Sequence, residues 1–161
     1  MMNAEPLKEH RWLEGLVGDW TYASEPCGVP GQEPTTFTGT ESVRSMGGLW
    51  IVGESQSQMP GGGPAQMMIT LGFDPDRKRF IGTWVGSMMT NMWVYEGELD
   101  ASGKVLTLST TGPAFDGSGK TAKYQDVITV KDADHRTLTS RVHGDDGKWT
   151  EFMSAHYRRR K

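Results

Sequence analysis

The sequence has one cysteine, no long apolar run and no excess of basic residues. Cys27 is the single cysteine among 161 residues, so an intrachain disulfide cannot form. Its neighbours, Pro26 and Gly28, are typical of a turn, and no nearby base would activate the thiol for catalysis.

No window approaches the roughly 18 apolar residues of a membrane-spanning helix. The first residues, MMNAEPLKEHRW, lack the apolar run of a secretory signal. We therefore expect a soluble cytoplasmic protein.

The charge balance gives no reason to expect nucleic acid or an anionic membrane as a partner. The formal net charge is -3 at pH 7. The basic run at 158–161 has no interleaved aromatic residues and is interpreted as a solvated tail. The segment HGDDG at 143–147 offers three potential metal ligands, but its two glycines favour a hairpin turn. We predict no metal site and no cofactor.

The composition favours a β-protein over a helical bundle. The chain is 35% hydrophobic and contains 21 glycines and 8 prolines, which is usual for a sheet with many turns and one solvated face. One short amphipathic stripe, Leu13, Leu16 and Val17, follows Pro6 and ends at Gly18, which predicts a helix at about 6–17. A chain of this length is expected to form a single domain over 1–161.

Turn signals divide the rest of the chain into short apolar segments. FDPDRKRF, ELDASGKVL, KDADHRTL and HGDDGKW each separate runs that are rich in β-branched or aromatic residues. The predicted strands are 18–25, 35–46, 49–58, 66–73, 78–87, 91–99, 104–111, 120–131, 136–143 and 148–158. Consecutive strands joined by tight turns are antiparallel neighbours, and a long meander avoids exposed edges by closing. We predict an all-β, antiparallel up-and-down barrel of about ten strands at about 18–159, wide enough to hold a cavity.

Alternation along the late strands predicts which side chains face the lumen. The inward sets are Trp149, Glu151, Met153, Ala155 and Tyr157 in one strand, and Ala122, Tyr124, Asp126, Ile128 and Val130 in another. An inward carboxylate must be hydrated, protonated or paired, and Arg141 or Arg44 are the cations placed to reach one. A structural ion pair and a ligand contact are both consistent with this pattern.

The stretch TWVGSMMTNMWVYEGEL at 83–99 concentrates methionine and aromatic residues at a predicted hairpin. The aromatic residues of its two strands are Trp84, Trp93 and Tyr95, and the methionines at or beside its tip are Met88, Met89 and Met92. Apolar methionines are unusual in a solvated turn, and their flexible thioethers suit an irregular apolar partner. The hairpin is therefore a ligand portal, or it packs onto the core or a second subunit.

Several segments carry a resemblance to known families. LEGLVGDW is similar to the G-x-W start of calycin barrels such as lipocalins. GGLWIVGES, LGFDPDRKRFIGTWVGSMMTNMWVYEGELD and DDGKWTEFMSAHYRR together resemble the family called domain of unknown function 1579, over about 13–159. The resemblance implies a lipocalin-like barrel with no established activity. In lipocalins a late arginine packs over the G-x-W tryptophan, which implies that Trp20 contacts Arg158 or Arg159.

Two other calycin groups suggest ligands that this sequence does not favour. Nitrobindins bind haem through a histidine near the C-terminus, but alternation places His156 on the outer face, so haem is not predicted. Fatty-acid-binding barrels hold a carboxylate with arginine and tyrosine, which Arg141 with Tyr124 or Tyr157 would imitate. The spaced pattern of that family is not reproduced here.

These observations favour a barrel that binds a small apolar or amphipathic molecule. The predicted ligand contacts are Trp84, Met88, Met89, Met92, Trp93, Tyr95, Tyr124, Asp126, Arg141 and Glu151. One alternative is an enzyme in which Asp126 or Glu151 is a general base and Tyr124 or Arg141 polarises the substrate. Another is a homodimer that uses the methionine-rich hairpin as its interface. The glycine-rich connector at 59–66 is a plain loop or a lid over the barrel mouth.

Overall fold

The computed structural model describes residues 4–27, 31, 33–58 and 63–161. Within these ranges there is one helix, α1 (Lys8–Glu14), followed by ten strands. The strands are β1 (Gly18–Ser24), β2 (Thr38–Met46), β3 (Trp50–Gln58), β4 (Pro64–Asp74), β5 (Arg79–Gly86), β6 (Trp93–Leu99), β7 (Val105–Pro113), β8 (Thr121–Asp132), β9 (His135–His143) and β10 (Trp149–Arg159). The helix is shorter than the predicted 6–17.

The ten strands form a closed antiparallel barrel in which each strand pairs with its neighbours in the chain. The barrel closes between the first and the last strand, where Trp20 pairs with Arg159 and Tyr22 with Tyr157. This confirms the predicted all-β, up-and-down barrel. Closure leaves no strand edge unpaired, which is why a long meander with one polar face favours it.

Helix α1 covers one end of the barrel. Leu13 is 1% exposed and belongs to the main apolar core. His10 fixes the helix to the sheet, since its Nδ1 accepts a hydrogen bond from the backbone of Leu7 and its Nε2 lies 3.1 Å from the carbonyl oxygen of Phe73. The indole of Trp12 donates to the carbonyl oxygen of Gly103. The helix thus reaches both sides of this rim.

Trp20 lies directly beneath this helix, between two arginines. Its Nε1 donates to the carbonyl oxygen of Leu16 at 2.9 Å, and the ring is 1% exposed. The guanidinium carbons of Arg136 and Arg159 lie 4.7 and 4.3 Å from its centroid. Arg159, and not the exposed Arg158, is therefore the late arginine that packs on this tryptophan.

A β-bulge changes which side chains in the first half of β10 point into the lumen. Register with β9 shifts between Glu151, which pairs with Arg141, and Met153. Phe152 is the additional residue, and it turns into the lumen. The prediction that Trp149 and Glu151 face inward is wrong, because both precede the bulge and are exposed. From Met153 onward the predicted alternation holds.

The two arginines expected to reach an inward carboxylate lie elsewhere. Arg44 pairs with Glu54 on the outer surface, with 3.1 Å between Nη1 and Oε1. Arg141 donates from Nε to Oε1 of Gln125, and its guanidinium lies over the ring of Trp149. Both lie on the outward faces of their strands, so the prediction that one of them reaches an inward carboxylate is wrong.

The end opposite α1 carries, among the described residues, the connections 87–92, 114–120 and 144–148. The segment HGDDG contributes the turn between β9 and β10, as predicted, and Gly147 adopts a positive φ there. Residues 59–62 of the predicted lid lie outside the described residues. Within the described ranges, no helix has both the length and the apolar character needed to span a bilayer.

Candidate functional site

The barrel encloses a cavity of about 270 Å³. It extends from Leu16, beside the helix, to Met89 and Phe115 at the opposite end. Most of the wall is apolar and comes from inward-facing positions of nearly all the strands. Its aliphatic members include Val43, Ile51, Ile69, Leu71, Leu108, Ile128 and Leu138.

Six of the ten predicted contact residues line this cavity. They are Trp84, Met89, Trp93, Tyr95, Tyr124 and Asp126. The other four do not: strand alternation directs Arg141 outward, Glu151 precedes the bulge, and Met88 and Met92 belong to the connection between β5 and β6. Met88 and Met92 are 40% and 57% exposed, and Glu151 and Arg141 lie on the outer face of β10 and β9. The hairpin at 83–99 therefore divides between a lumenal face and a solvent face.

Four aromatic rings form a continuous cluster at the end far from α1. The centroid of Tyr124 lies 5.1 Å from that of Trp93 and 5.2 Å from that of Phe115. Phe152 completes the cluster, 5.4 Å from Phe115 and 6.1 Å from Tyr124. Sequence reasoning missed Phe115, which belongs to a loop, and Phe152, which the bulge turns inward.

Trp93 is part of the cavity wall and is only 8% exposed. Its Nε1 lies 3.1 Å from the sulfur of Met89, so the hairpin tip folds back over the ring. The ring rests on the backbone of Gly112 in the next strand, β7, where any side chain would overlap it. Met89 and Trp93 together place the methionine-rich hairpin at the rim of the cavity.

A carboxylate lies in the middle of the apolar wall. Asp126 accepts hydrogen bonds from the hydroxyls of Tyr95 and Ser140, the latter at 2.5 Å. Burial raises the pKa of Asp126 above its ordinary value, and the two hydroxyls offset only part of that effect. Burial and the neighbouring carboxylate together raise the pKa of Tyr95 well above its usual range, so this phenol stays a hydrogen-bond donor.

A second polar centre lies nearer the helix. Arg136 and Glu41 form an ion pair with 2.6 Å between Nη2 and Oε1, and their side chains are 6% and 10% exposed. The guanidinium also lies 4.2 Å from the ring centroid of Tyr157. Sequence reasoning missed this pair. Alternation along TGTESVRSM and HRTLTSRVH places Glu41 beside Val43 and Arg136 beside Leu138 on the inward faces, and this signal would have found both.

Two further hydroxyl groups face the cavity. The phenol of Tyr22 hydrogen-bonds Ser55 at 2.7 Å, and burial raises the pKa of this phenol. Thr110 is 9% exposed, and its Oγ1 has no hydrogen-bond partner among the described residues. A buried hydroxyl without a partner is costly, so Thr110 offers a bonding position to a molecule inside the lumen.

The histidine that resembles the nitrobindin ligand does not line the cavity. His156 contacts His135 on β9 and Glu25 beyond β1, at 3.2 and 3.1 Å. Within the described ranges, no cluster of three or more His, Cys, Asp or Glu side chains is arranged to hold a metal ion. The chemistry available to the lumen is therefore that of Asp126, the Arg136–Glu41 pair and their hydroxyl neighbours.

The fold of this chain is also that of a solved structure, Rv2717c. The crystal structure of Rv2717c from M. tuberculosis superimposes with a TM-score of 0.69 at 14% identity, and the match covers 98% of this chain and 100% of that one. A redesigned β-barrel and the protein EF1p2_mFAP2b bound to DFHBI each superimpose with a TM-score of 0.49, at 12% and 14% identity. The first match covers 94% of this chain and 96% of the other, and the second covers 94% and 98%.

The family comparison covers almost the whole chain. The model of DUF1579, described as a protein of unknown function, matches residues 5–159. No curated protein matches the chain.

Proposed function

The chain belongs to the DUF1579 family, for which no function is known, and we propose that it binds a small, largely apolar molecule in the lumen of its barrel. The observation that carries this proposal is the cavity of about 270 Å³ inside a closed barrel. Small-molecule pockets are commonly about 300–1,000 Å³, mostly apolar, with a few placed polar groups. The cavity is slightly smaller than the lower end of that range, and its wall is likewise mostly apolar with a few polar groups.

The arrangement of the two ends supports entry opposite the helix. Leu13 and Trp20 fill the helix end with fully buried side chains. The other end carries Met89 and Phe115, which are 38% and 49% exposed and also line the cavity. A flexible thioether and a loop phenylalanine can move aside at lower cost than side chains fixed in a packed core. We therefore propose that the ligand passes between Met89 and Phe115.

Native mass spectrometry of the protein purified from its own host tests this proposal. We expect a retained small mass on the native protein. Thr110→Trp should remove that mass, because Thr110 faces the lumen and the larger ring fills it. Ser109→Trp, one residue earlier in β7 and exposed, is the matched control and should retain it. A native protein that carries no mass and binds no apolar probe contradicts the proposal.

Catalysis is the second candidate function, and the environment of Asp126 favours it. A carboxylate whose pKa is raised by burial can act as a general base near neutral pH. The phenol of Tyr95, hydrogen-bonded to it, would then orient this carboxylate. Host metabolites incubated with native protein and with Asp126→Asn would reveal turnover as a compound that only the native protein consumes. If neither protein consumes any compound, binding remains the function.

We also propose that the outer face of the methionine-rich hairpin supports self-association. Met92 and Val94 are each 57% exposed, and Val85 and Met68 on the two preceding strands extend the same apolar surface. Val94→Lys places a charge in the middle of this surface. Sedimentation analysis should then show a dimer for the native chain and a monomer for the variant; a native monomer at high concentration contradicts the proposal.

A further inference from the structure

We propose that the lumen selects a ligand that carries a cationic nitrogen, which pairs with Asp126. This inference rests on the proposed binding function and specifies the class of ligand: a small apolar amine or ammonium compound. It follows from the charges inside the barrel, the rings around Asp126 and one hydroxyl group without a partner.

Asp126 has no cation of its own. Its two oxygens accept hydrogen bonds only from the neutral hydroxyls of Tyr95 and Ser140. Among the described residues, no lysine, arginine or histidine forms a salt bridge with it. Burying an ionised carboxylate in an apolar wall is unfavourable, and protonation or an opposite charge relieves that cost. A ligand cation would supply that charge.

Arg136 does not serve as the counterion of Asp126, because it is already paired. Arg136 lines the same cavity, but its Nη2 binds Glu41 at 2.6 Å and its guanidinium stacks on Trp20 and Tyr157. Its buried Nε is without a hydrogen-bond partner among the described residues. The acidic and basic residues of the lining are Asp126, Glu41 and Arg136, and when Asp126 is ionised its charge is the one without a counterion. An anionic ligand would have to displace Glu41 from a buried ion pair.

The surroundings of Asp126 suit an ammonium group. Trp93, Tyr95 and Tyr124 line the cavity: the hydroxyl of Tyr95 bonds Asp126, and the rings of Trp93 and Tyr124 lie 5.1 Å apart. Aromatic faces attract cations, and the attraction increases in a site from which water is excluded. These rings also supply the apolar contacts that the remainder of an amphipathic amine requires.

Thr110 provides a second polar contact close to the carboxylate. In the register of β7 with β8, Leu108 pairs with Asp126 and Thr110 pairs with Tyr124, so Thr110 lies one inward position nearer the far end. Its buried Oγ1 has no partner among the described residues. An amine has several N–H donors, so one group can bond both Asp126 and Thr110. A hydrocarbon or a plain alcohol cannot supply the charge.

A matched set of probes tests the inference on the full chain. Decylammonium, 1-decanol and decanoate share one apolar tail and differ in the charge of the head group. Each is titrated into the protein below its micelle concentration, with calorimetry and tryptophan fluorescence as readouts. We expect decylammonium to bind about tenfold or more tightly than 1-decanol, since bonds to charged groups contribute on that scale, and decanoate to bind most weakly.

Asp126→Asn keeps the shape of the side chain and removes its charge. In this variant the affinity for decylammonium should fall to within about threefold of that for 1-decanol, while the affinity for 1-decanol changes little. Asp145→Asn removes an exposed carboxylate from the turn before β10 and is the matched control. It should retain the full preference. Circular dichroism confirms that each variant is folded before binding is compared.

The outcomes separate this inference from the proposed function. Equal binding of the three probes, or tightest binding of decanoate, overturns the choice of a cationic ligand and leaves lumenal binding intact. A preference for decylammonium that survives Asp126→Asn also overturns it. If no probe binds at all, both the inference and the proposed function are wrong.

Discussion

The guanidinium group of Arg159 lies over the indole of Trp20, with 4.3 Å between its Cζ and the ring centroid. The same group donates to the carbonyl oxygens of Val17 at 2.6 Å and Gly15 at 3.0 Å. It passes beside Gly18, where φ is +137° and a Cβ atom would overlap Nη1. One side chain thus connects the last strand, the first strand and the end of the helix.

Arg159→Ala should lower the free energy of unfolding by about 1.5–3 kcal/mol, the range for losing hydrogen bonds to a charged group. Arg159→Lys should have a free energy of unfolding between those of the native protein and Arg159→Ala, because an ammonium group cannot reproduce the planar fork that reaches both carbonyls. Arg158→Ala is the control: its side chain is exposed, and we expect a change within about 0.5 kcal/mol. Urea unfolding measures all three. Equal losses at 158 and 159 would contradict this assignment.

Glu41→Ala should cost about 3–5 kcal/mol of stability, because it leaves the buried guanidinium of Arg136 without its counterion. The matched control is Glu54→Ala, which removes the partner of Arg44 from a pair whose side chains are 60% and 53% exposed. That change should cost no more than about 1 kcal/mol. Thermal and urea unfolding compare the two variants. A small loss at Glu41 would mean that the guanidinium finds water or another acceptor.

Gly112→Ala should destabilise the barrel by about 1–3 kcal/mol, because the added methyl group overlaps the ring of Trp93 and forces it to move. The emission of Trp93 should change as well, since the ring must shift from its position between Gly112 and Tyr124. Gly63→Ala is the control, because a Cβ at Gly63 meets nothing within 4 Å. We expect its stability to change by less than about 0.5 kcal/mol.

Asp126 should make the protein less stable as pH rises. Its pKa is raised from the ordinary value of 3.8, so between 3.8 and the raised value the folded chain binds more protons than the unfolded chain. This group's contribution is therefore most favourable below pH 3.8 and is lost as pH rises through the folded pKa. Tyr95, the neighbouring titratable group, stays protonated in this range.

The measurement is the free energy of unfolding of the native protein minus that of Asp126→Asn, followed from acid to neutral pH. This difference should decrease with pH, by at most about 1.4 kcal/mol per pH unit for one proton. Asp145→Asn, with its side chain at the surface, should leave the native pH dependence in place. A difference that is constant or increases with pH rules out a raised pKa at Asp126.

Local sequence patterns predicted most of the fold. Except at 87–92, each connection between strands contains Asp, Gly or Pro, so ten strands and their order follow from segments of about ten residues. The helix was predicted too long, because residues 15–17 continue its apolar stripe into a turn that ends at Gly18. Which late arginine meets Trp20 depends on the pairing of β1 with β10, and no local pattern contains that register.

The candidate site was less predictable, because its polar groups depend on pairing between distant strands. The alternation of inward and outward side chains correctly predicted that Tyr124 and Asp126 face the lumen, because β8 is regular through that segment. It failed for Glu151, because the bulge at Phe152 appears only when β10 is aligned with β9. Glu41 and Arg136 are 95 residues apart, and their contact depends on how far the strands are staggered around the barrel.

The closure of β1 on β10 sets the order in which the lumen can appear during synthesis. A ribosome produces β1 first and β10 more than a hundred residues later, so the edges of β1 and β9 stay open until 149–159 emerge. Until then the nascent sheet exposes its apolar face and two templates for mispairing. The closed lumen therefore forms only after the last strand has been synthesised.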